Sequence, residues 1–290
     1  MYIKDTLHNI KFYSLFIILS IILSSCSKEN YEAQLPTYIS IDQITVTTDL
    51  ATQGSSTSNI TDAWVYVDDN LVGVFELPAT FPVLKEGNVT MKVYAGIKDN
   101  GISSTRARYL LYDPHIEQLN LVKGETIKVN PNVTYASGAI FPWIEDFENP
   151  SLSFLYTTDS DTIINKQSTD VRDGVFSGQV YLDTGMDFFE ATSIAFTTIP
   201  RNGRPVYFEL DFKTNQELLI GIYLDTGKAL YIVLKETSEW KKVYINLTGI
   251  INSLASSSEV KIFIGYDVLA NPFTATNPEI HLDNLKLVHL

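Results

Sequence analysis

The chain has 290 residues, 45% of them apolar and 19% charged, and a formal net charge of −13. That length and apolar content support one large globular domain or two ordinary ones and exclude a wholly disordered chain. The acidic balance lacks the basic footprint that nucleic-acid binding needs, and a single cysteine excludes an intrachain disulfide framework.

The chain opens MYIKDTLHNIKFYSLFIILSIILSSC, with Lys4 and Lys11 ahead of a nearly unbroken apolar run from Phe12 to Leu23. The run is shorter than the roughly 20 residues a transmembrane helix needs. It fits the apolar region of an export signal. The segment Leu23-Ser24-Ser25-Cys26 resembles the lipobox of bacterial lipoproteins: Leu, two small residues, then the Cys that receives the lipid. The resemblance implies that residues 1–25 are a signal peptide and that Cys26 is the lipidated N-terminus of the mature protein. The other reading is an ordinary secretory signal with an incidental cysteine. Cleavage removes Lys4, Lys11 and Asp5, leaving a mature chain one unit more negative than −13. Acyl chains would hold it on a membrane, each buried methylene contributing roughly 0.8 kcal/mol. Ser27 after the cysteine resembles the outer-membrane sorting pattern of Gram-negative lipoproteins. Lys28-Glu29 is a thin match to the signal that carries Bacteroidetes lipoproteins to the cell surface. The implied location is the outer membrane, lipid-anchored and exposed at the cell surface, a periplasm-facing position being the alternative. Residues 26–34 read as a polar tether.

Residues 35–137 read as a first β domain. Tyr38 to Val46 alternates as a half-buried strand does. Thr52 to Thr61 is a Gly/Ser/Thr/Asn-rich loop. A hairpin follows, with Trp64 and Tyr66 on one face, Val65 and Val67 on the other, and a tight turn at Asp69-Asn70. Val89 to Ile97, Glu125 to Val129 and Asn132 to Tyr135 are further strands. The segments VYVDDNLVGVFELP and GNVTMKVYAGI resemble the immunoglobulin-like and PEGA-type domains of bacterial envelope proteins. That resemblance implies a β-sandwich acting as spacer or docking module. Arg106, Arg108, Tyr109 and Tyr112 read either as a cationic–aromatic contact patch or as outward residues of an exposed strand.

Residues 138–290 read as a second domain. Short strand candidates recur at 153–157, 162–165, 178–182, 191–198, 206–214, 217–225, 229–236, 240–247, 260–266 and 280–289, with one helical turn between Leu247 and Leu254. Many short strands without a long helical period imply an all-β sandwich. EDFE (145–148), DGVFSGQVYLD (173–183), WKKVYINL (240–247) and HLDNLKLV (281–288) resemble carbohydrate-binding-module jelly rolls. By that resemblance Glu148, Asp173 and Asp283 stand where such modules hold a structural calcium; otherwise Asp283 caps a turn and Glu148 is a solvated charge. No other cofactor is expected.

Sugar binding needs exposed rings, because a pyranose stacks its C–H face on them. Trp143, Tyr181, Phe188, Phe189 and Tyr223 are the site candidates, and Trp240 reads as the start of a core strand. Phe188 and Phe189 are adjacent on a strand, so both cannot face the core. Asp161-Thr162-Ile163 resembles the O-glycosylation pattern of exported Bacteroidetes proteins, with Thr162 as acceptor. The Asn-x-Thr triplets at Asn59, Asn88, Asn132 and Asn246 belong to eukaryotic secretion and carry little weight beside a lipobox.

Catalytic signatures are lacking: there is no Gly-x-Ser-x-Gly, His-Glu-x-x-His or phosphate-cradling glycine loop. Glu145, Asp146, Glu148, Glu209 and Asp211 are the carboxylates that glycoside hydrolysis could draw on, but charges at this density read as solvated strand faces. The expectation is a non-catalytic envelope lipoprotein that binds glycan through its jelly roll. The alternative is an accessory or scaffold subunit of an outer-membrane complex for secretion, assembly or nutrient uptake.

Overall fold

The computed structural model describes residues 35–290, apart from 225–226, 256–257, 271 and 274. Cys26, the export signal and the tether lie outside the described residues. Among those described, strands dominate, joined by two short helices, α1 (Leu50–Gln53) and α2 (Thr248–Asn252). No described helix is long and apolar enough to cross a membrane. Residues Pro36–Leu290 make one compact unit with two apolar cores.

The first core is built from β1 (Thr37–Ile41), β2 (Thr45–Thr47), β3 (Asp62–Val67), β4 (Asn70–Glu76), β5 (Ala79–Val83), β6 (Gly87–Lys98), β7 (Arg106–Arg108), β8 (Tyr112–Asp113), β9 (His115–Leu121), β10 (Thr126–Val129) and β11 (Asn132–Tyr135). These form sheets ordered β10-β1-β5, β2-β11-β8 and β4-β3-β6-β7, with β9 also on β6. β1 runs parallel to β10 and β2 parallel to β11. Two-residue periodicity sets the inward face: Ile39 and Ile41, Val65 and Val67, and Val89, Met91 and Val93 are buried. The β3–β4 turn falls one residue earlier than the sequence predicts, at Asp68-Asp69. Both residues have positive φ, 48° and 62°, as this class of hairpin turn requires. The Asp68 carboxylate fixes it by accepting from the Thr90 N–H at 2.8 Å and pairing with Lys85 at 2.6 Å.

The second core lies between two antiparallel sheets, the β-sandwich the strand pattern predicts. Its strands are β12 (Ile140–Glu145), β13 (Leu155–Tyr156), β14 (Asn165–Gln167), β15 (Ser177–Tyr181), β16 (Phe188–Thr192), β17 (Val206–Thr214), β18 (Leu218–Leu224), β19 (Gly227–Leu234), β20 (Thr237–Asn246), β21 (Lys261–Asp267) and β22 (Glu279–His289). One sheet runs β14-β15-β22-β17-β20, with β12 also on β22; the other runs β13-β16-β21-β18-β19. Between them Trp143 stacks on Phe208, centroids 5.9 Å apart, among Phe189, Ile220, Ile262 and Leu282.

The outer face of the β17, β20 and β22 strands corrects the reading of its charges as solvated. Glu209 and Asp211 are fully buried, and Lys242 and Lys286 are 2% and 1% exposed. The first half of the unit covers them. Tyr109 and Tyr135 donate their hydroxyl hydrogens to Glu209, and Thr57 donates to Asp211. Lys242 lies 3.5 Å from Glu209 and 3.6 Å from Asp211. Tyr207, Tyr244 and Val288 from these strands join the first core. Tyr109 and Tyr112 are therefore interior residues, neither a contact patch nor outward residues of an exposed strand. Arg106 pairs with Asp62 and Glu76, and Arg108 lies 4.5 Å over the Tyr94 ring. Of the carboxylates weighed for hydrolysis, Glu145 is also buried and is taken up by the Phe147 N–H and by Ser153.

Candidate functional site

The β13-β16-β21-β18-β19 sheet turns its other side outward. Inward residues of β18 and β21 (Ile220, Ile222, Ile262, Ile264) fill the core, so Tyr223, Phe263 and two glycines fall on the outer side. Gly221 lies under the Phe263 ring: a Cβ there would come within 2.3 Å of it. Gly265 sits against the Phe189 carbonyl, 2.8 Å from where its Cβ would be. The floor is therefore flat, and longer side chains gather above it. Lys228 from β19 places its ammonium 4.4 Å from the Phe263 ring centroid, 5.3 Å from that of Phe188 and 6.0 Å from that of Tyr223. Lys228 and the Tyr223 hydroxyl both donate to the Glu190 carboxylate, which is 1% exposed. Burial, and then the bond to Glu190, push the Tyr223 hydroxyl well above its ordinary pKa, so it stays a donor. Tyr223 also walls a cleft of about 510 Å³ shared with Leu155, Thr157, Thr192, Glu259 and Lys261. The Thr157 Oγ1 beside it is buried with no hydrogen-bond partner among the described residues.

Of the five ring candidates, Phe188 and Tyr223 meet here, bridged by Lys228. Phe189 is the inward member of its pair and fully buried. Trp143 is also core, its Nε1–H donated to Ser153 at 2.7 Å, so neither offers a face to a ligand. Tyr181 is 55% exposed on β15, in the opposite sheet. Trp240 does not start a core strand: it lies half-buried on an outer face, edge-on to His281 and donating to Asp170 at 2.7 Å. Thr162 is half-buried in the loop before β14, where its carbonyl accepts from Ser160. Glu190, Lys228, Phe263 and Thr157 were not singled out from sequence. The alternation marks only that Glu190 and Phe263 share a face, not that they meet.

Glu148, Asp173 and Asp283 do not fit a calcium ion, which takes six to eight oxygens around one point. Glu148 accepts the Val175 and Phe176 N–H groups at 2.8 and 2.9 Å. Asp283 accepts those of Arg172, Asp173 and Asn284 at 3.1, 3.3 and 2.8 Å, and Asp173 takes the Ser55 hydroxyl. These bonds, on Glu148 Oε1, Asp173 Oδ2 and both Asp283 oxygens, tie loops to strands. Burial lifts the Asp283 carboxyl to about 8 despite those bonds. Among the described residues no three His, Cys, Asp or Glu side chains are placed to hold a metal.

No family model matches the chain, and no curated protein matches it. Solved structures do. The CBM22-1 xylan-binding domain of Paenibacillus barcinonensis Xyn10C is similar at 12% identity and a TM-score of 0.39, over 53% of this chain and 97% of that one. The family 11 carbohydrate-binding module of cellulosomal cellulase Lic26A-Cel5E of Clostridium thermocellum is similar at 13% identity and a TM-score of 0.36, over 53% and 96%. TmCBM61, solved with β-1,4-galactotriose, is similar at 14% identity and a TM-score of 0.31, over 49% and 89%.

Proposed function

We propose that this protein is a non-catalytic, glycan-binding lipoprotein of the outer membrane, exposed at the cell surface, and that the glycan binds on the outer face of the β13-β16-β21-β18-β19 sheet. The observation that carries this reading is the grouping of Tyr223 and Phe188 around the Glu190–Lys228 pair, beside a cleft of about 510 Å³. A sugar offers an apolar C–H face and a rim of hydroxyls. The rings match the first, and Lys228 and the unpartnered Thr157 hydroxyl match the second, with Glu190 holding Tyr223 and Lys228 in place. The lipid anchor rests on Leu23-Ser24-Ser25-Cys26. A glycan array probed with the full chain tests the binding. At least one oligosaccharide is retained, and Tyr223→Ala weakens it by about tenfold or more, roughly 1.4 kcal/mol. Retention of no glycan, or equal binding by Tyr223→Ala, refutes the site.

A further inference from the structure

On the opposite sheet, the cover over β17, β20 and β22 stops short of the strand ends where β17 finishes and β20 and β22 begin. A cleft of about 280 Å³ opens there, walled by Lys213, Thr214, Thr237, Ser238, Glu279 and His281. We propose that this cleft is a second binding site, taking a hydroxyl group of a neutral oligosaccharide on His281.

His281 is 4% exposed, and its Nδ1 is buried with no hydrogen-bond partner among the described residues. Its Nε2 faces the Glu279 carboxylate at 3.3 Å. In the neutral ring with its hydrogen on Nε2, facing that carboxylate, Nδ1 is an acceptor without a donor. An acceptor left unpaired inside a protein is costly, so the position calls for a donor from outside. The rest of the wall has the same polarity. Thr237 donates its hydroxyl hydrogen to the Glu239 carbonyl at 2.8 Å, leaving oxygen lone pairs for a ligand, while Thr214 is closed on itself by donating to the Gln216 carbonyl and accepting the Gln216 N–H. The ammonium of the lysine in the cleft wall is already engaged: Lys213 binds Asp170 at 2.7 Å, and the other Asp170 oxygen takes the Trp240 N–H. That neutralised pair gives an anion no hook. Acceptors that lack donors, beside an indole edge-on to the histidine, suit a neutral molecule rich in hydroxyls. The site does not depend on the Tyr223 face, which belongs to the other sheet.

The test follows the histidine ring signals of the full chain by NMR while xylohexaose, cellohexaose or maltohexaose is added to about 10 mM, which covers dissociation constants into the millimolar range. One of them shifts the His281 signals saturably. Ser238→Trp, at an exposed position on the cleft wall, weakens that response by about tenfold or more, as does His281→Gln. Because His281→Gln alters a buried strand position, the Ser238→Trp result decides. Tyr223→Ala leaves the response unchanged. The proposal fails if no probe moves the His281 signals, or if the shift survives Ser238→Trp. It also fails if Tyr223→Ala removes the shift, since the ligand would then sit on the opposite sheet.

Discussion

Lys286 is a long cation with almost no water around it. Its ammonium donates to the Ser55 carbonyl and lies 5.3 Å from the Tyr135 ring centroid, with Lys242, Glu209, Asp211 and Asp173 as its charged surroundings. Burial, with Lys242 adding to it, lowers its pKa from 10.5 to about 7. The folded value is the lower one, so between about pH 7 and 10.5 the unfolded chain holds the extra proton and stability rises with pH. That contribution is lost as pH falls through 7. The parent should therefore gain on Lys286→Met from pH 7 to 9.5, by at most about 1.4 kcal/mol per pH unit. Thermal melts of both proteins across that range show it as a widening difference in Tm, and a constant difference would count against the buried ammonium.

At the scale of single elements, two glycines make opposite forecasts. An alanine at Gly221 would put its Cβ 2.3 Å from Phe263 and 2.4 Å from the Ala229 carbonyl, and the backbone oxygen cannot step aside. Gly221→Ala should cost about 1–3 kcal/mol, read as a lower denaturation midpoint, and should disturb the floor beneath Tyr223. Gly249, in α2, has nothing within 4 Å of its added carbon, so Gly249→Ala should raise the midpoint by up to about 1 kcal/mol. The elements themselves were largely legible. β17 runs over the residues its alternation marks, and the Leu247–Leu254 turn is α2. Periodicity also says that Phe188 and Phe189 part company, though not which turns inward; Phe189 does because it meets the core with Ala191. What periodicity cannot carry is what lies over a polar face. Glu209, Asp211, Lys242 and Lys286 alternate with apolar residues as solvent-facing charges do, yet tyrosines more than 70 residues away in sequence close over them. The Glu190–Lys228 pair was hidden for the same reason, its members brought together only by the sheet order.

For the whole molecule, the covered face makes the two halves interdependent. Residues 141–290 alone would bare Tyr207, Tyr244 and Val288 together with the buried charges. That fragment should melt lower than the full chain or aggregate, and the full chain should unfold in one calorimetric transition; two separate transitions would show independent halves. The proposed anchor has its own check: metabolic labelling with palmitate should mark the protein and be lost in Cys26→Ala. The anchor also gives the strand order a mechanical meaning. The chain enters the folded unit at β1, which is held between β10 on one side and β5 on the other. Were the proposed anchor to hold the N-terminus, a pull along β1 would be resisted by its ladders to β10 and β5 together. Both of its ladders would then be loaded in shear, many hydrogen bonds at once, rather than unzipped one by one. A strand paired on both sides is harder to strip away than one at a sheet edge.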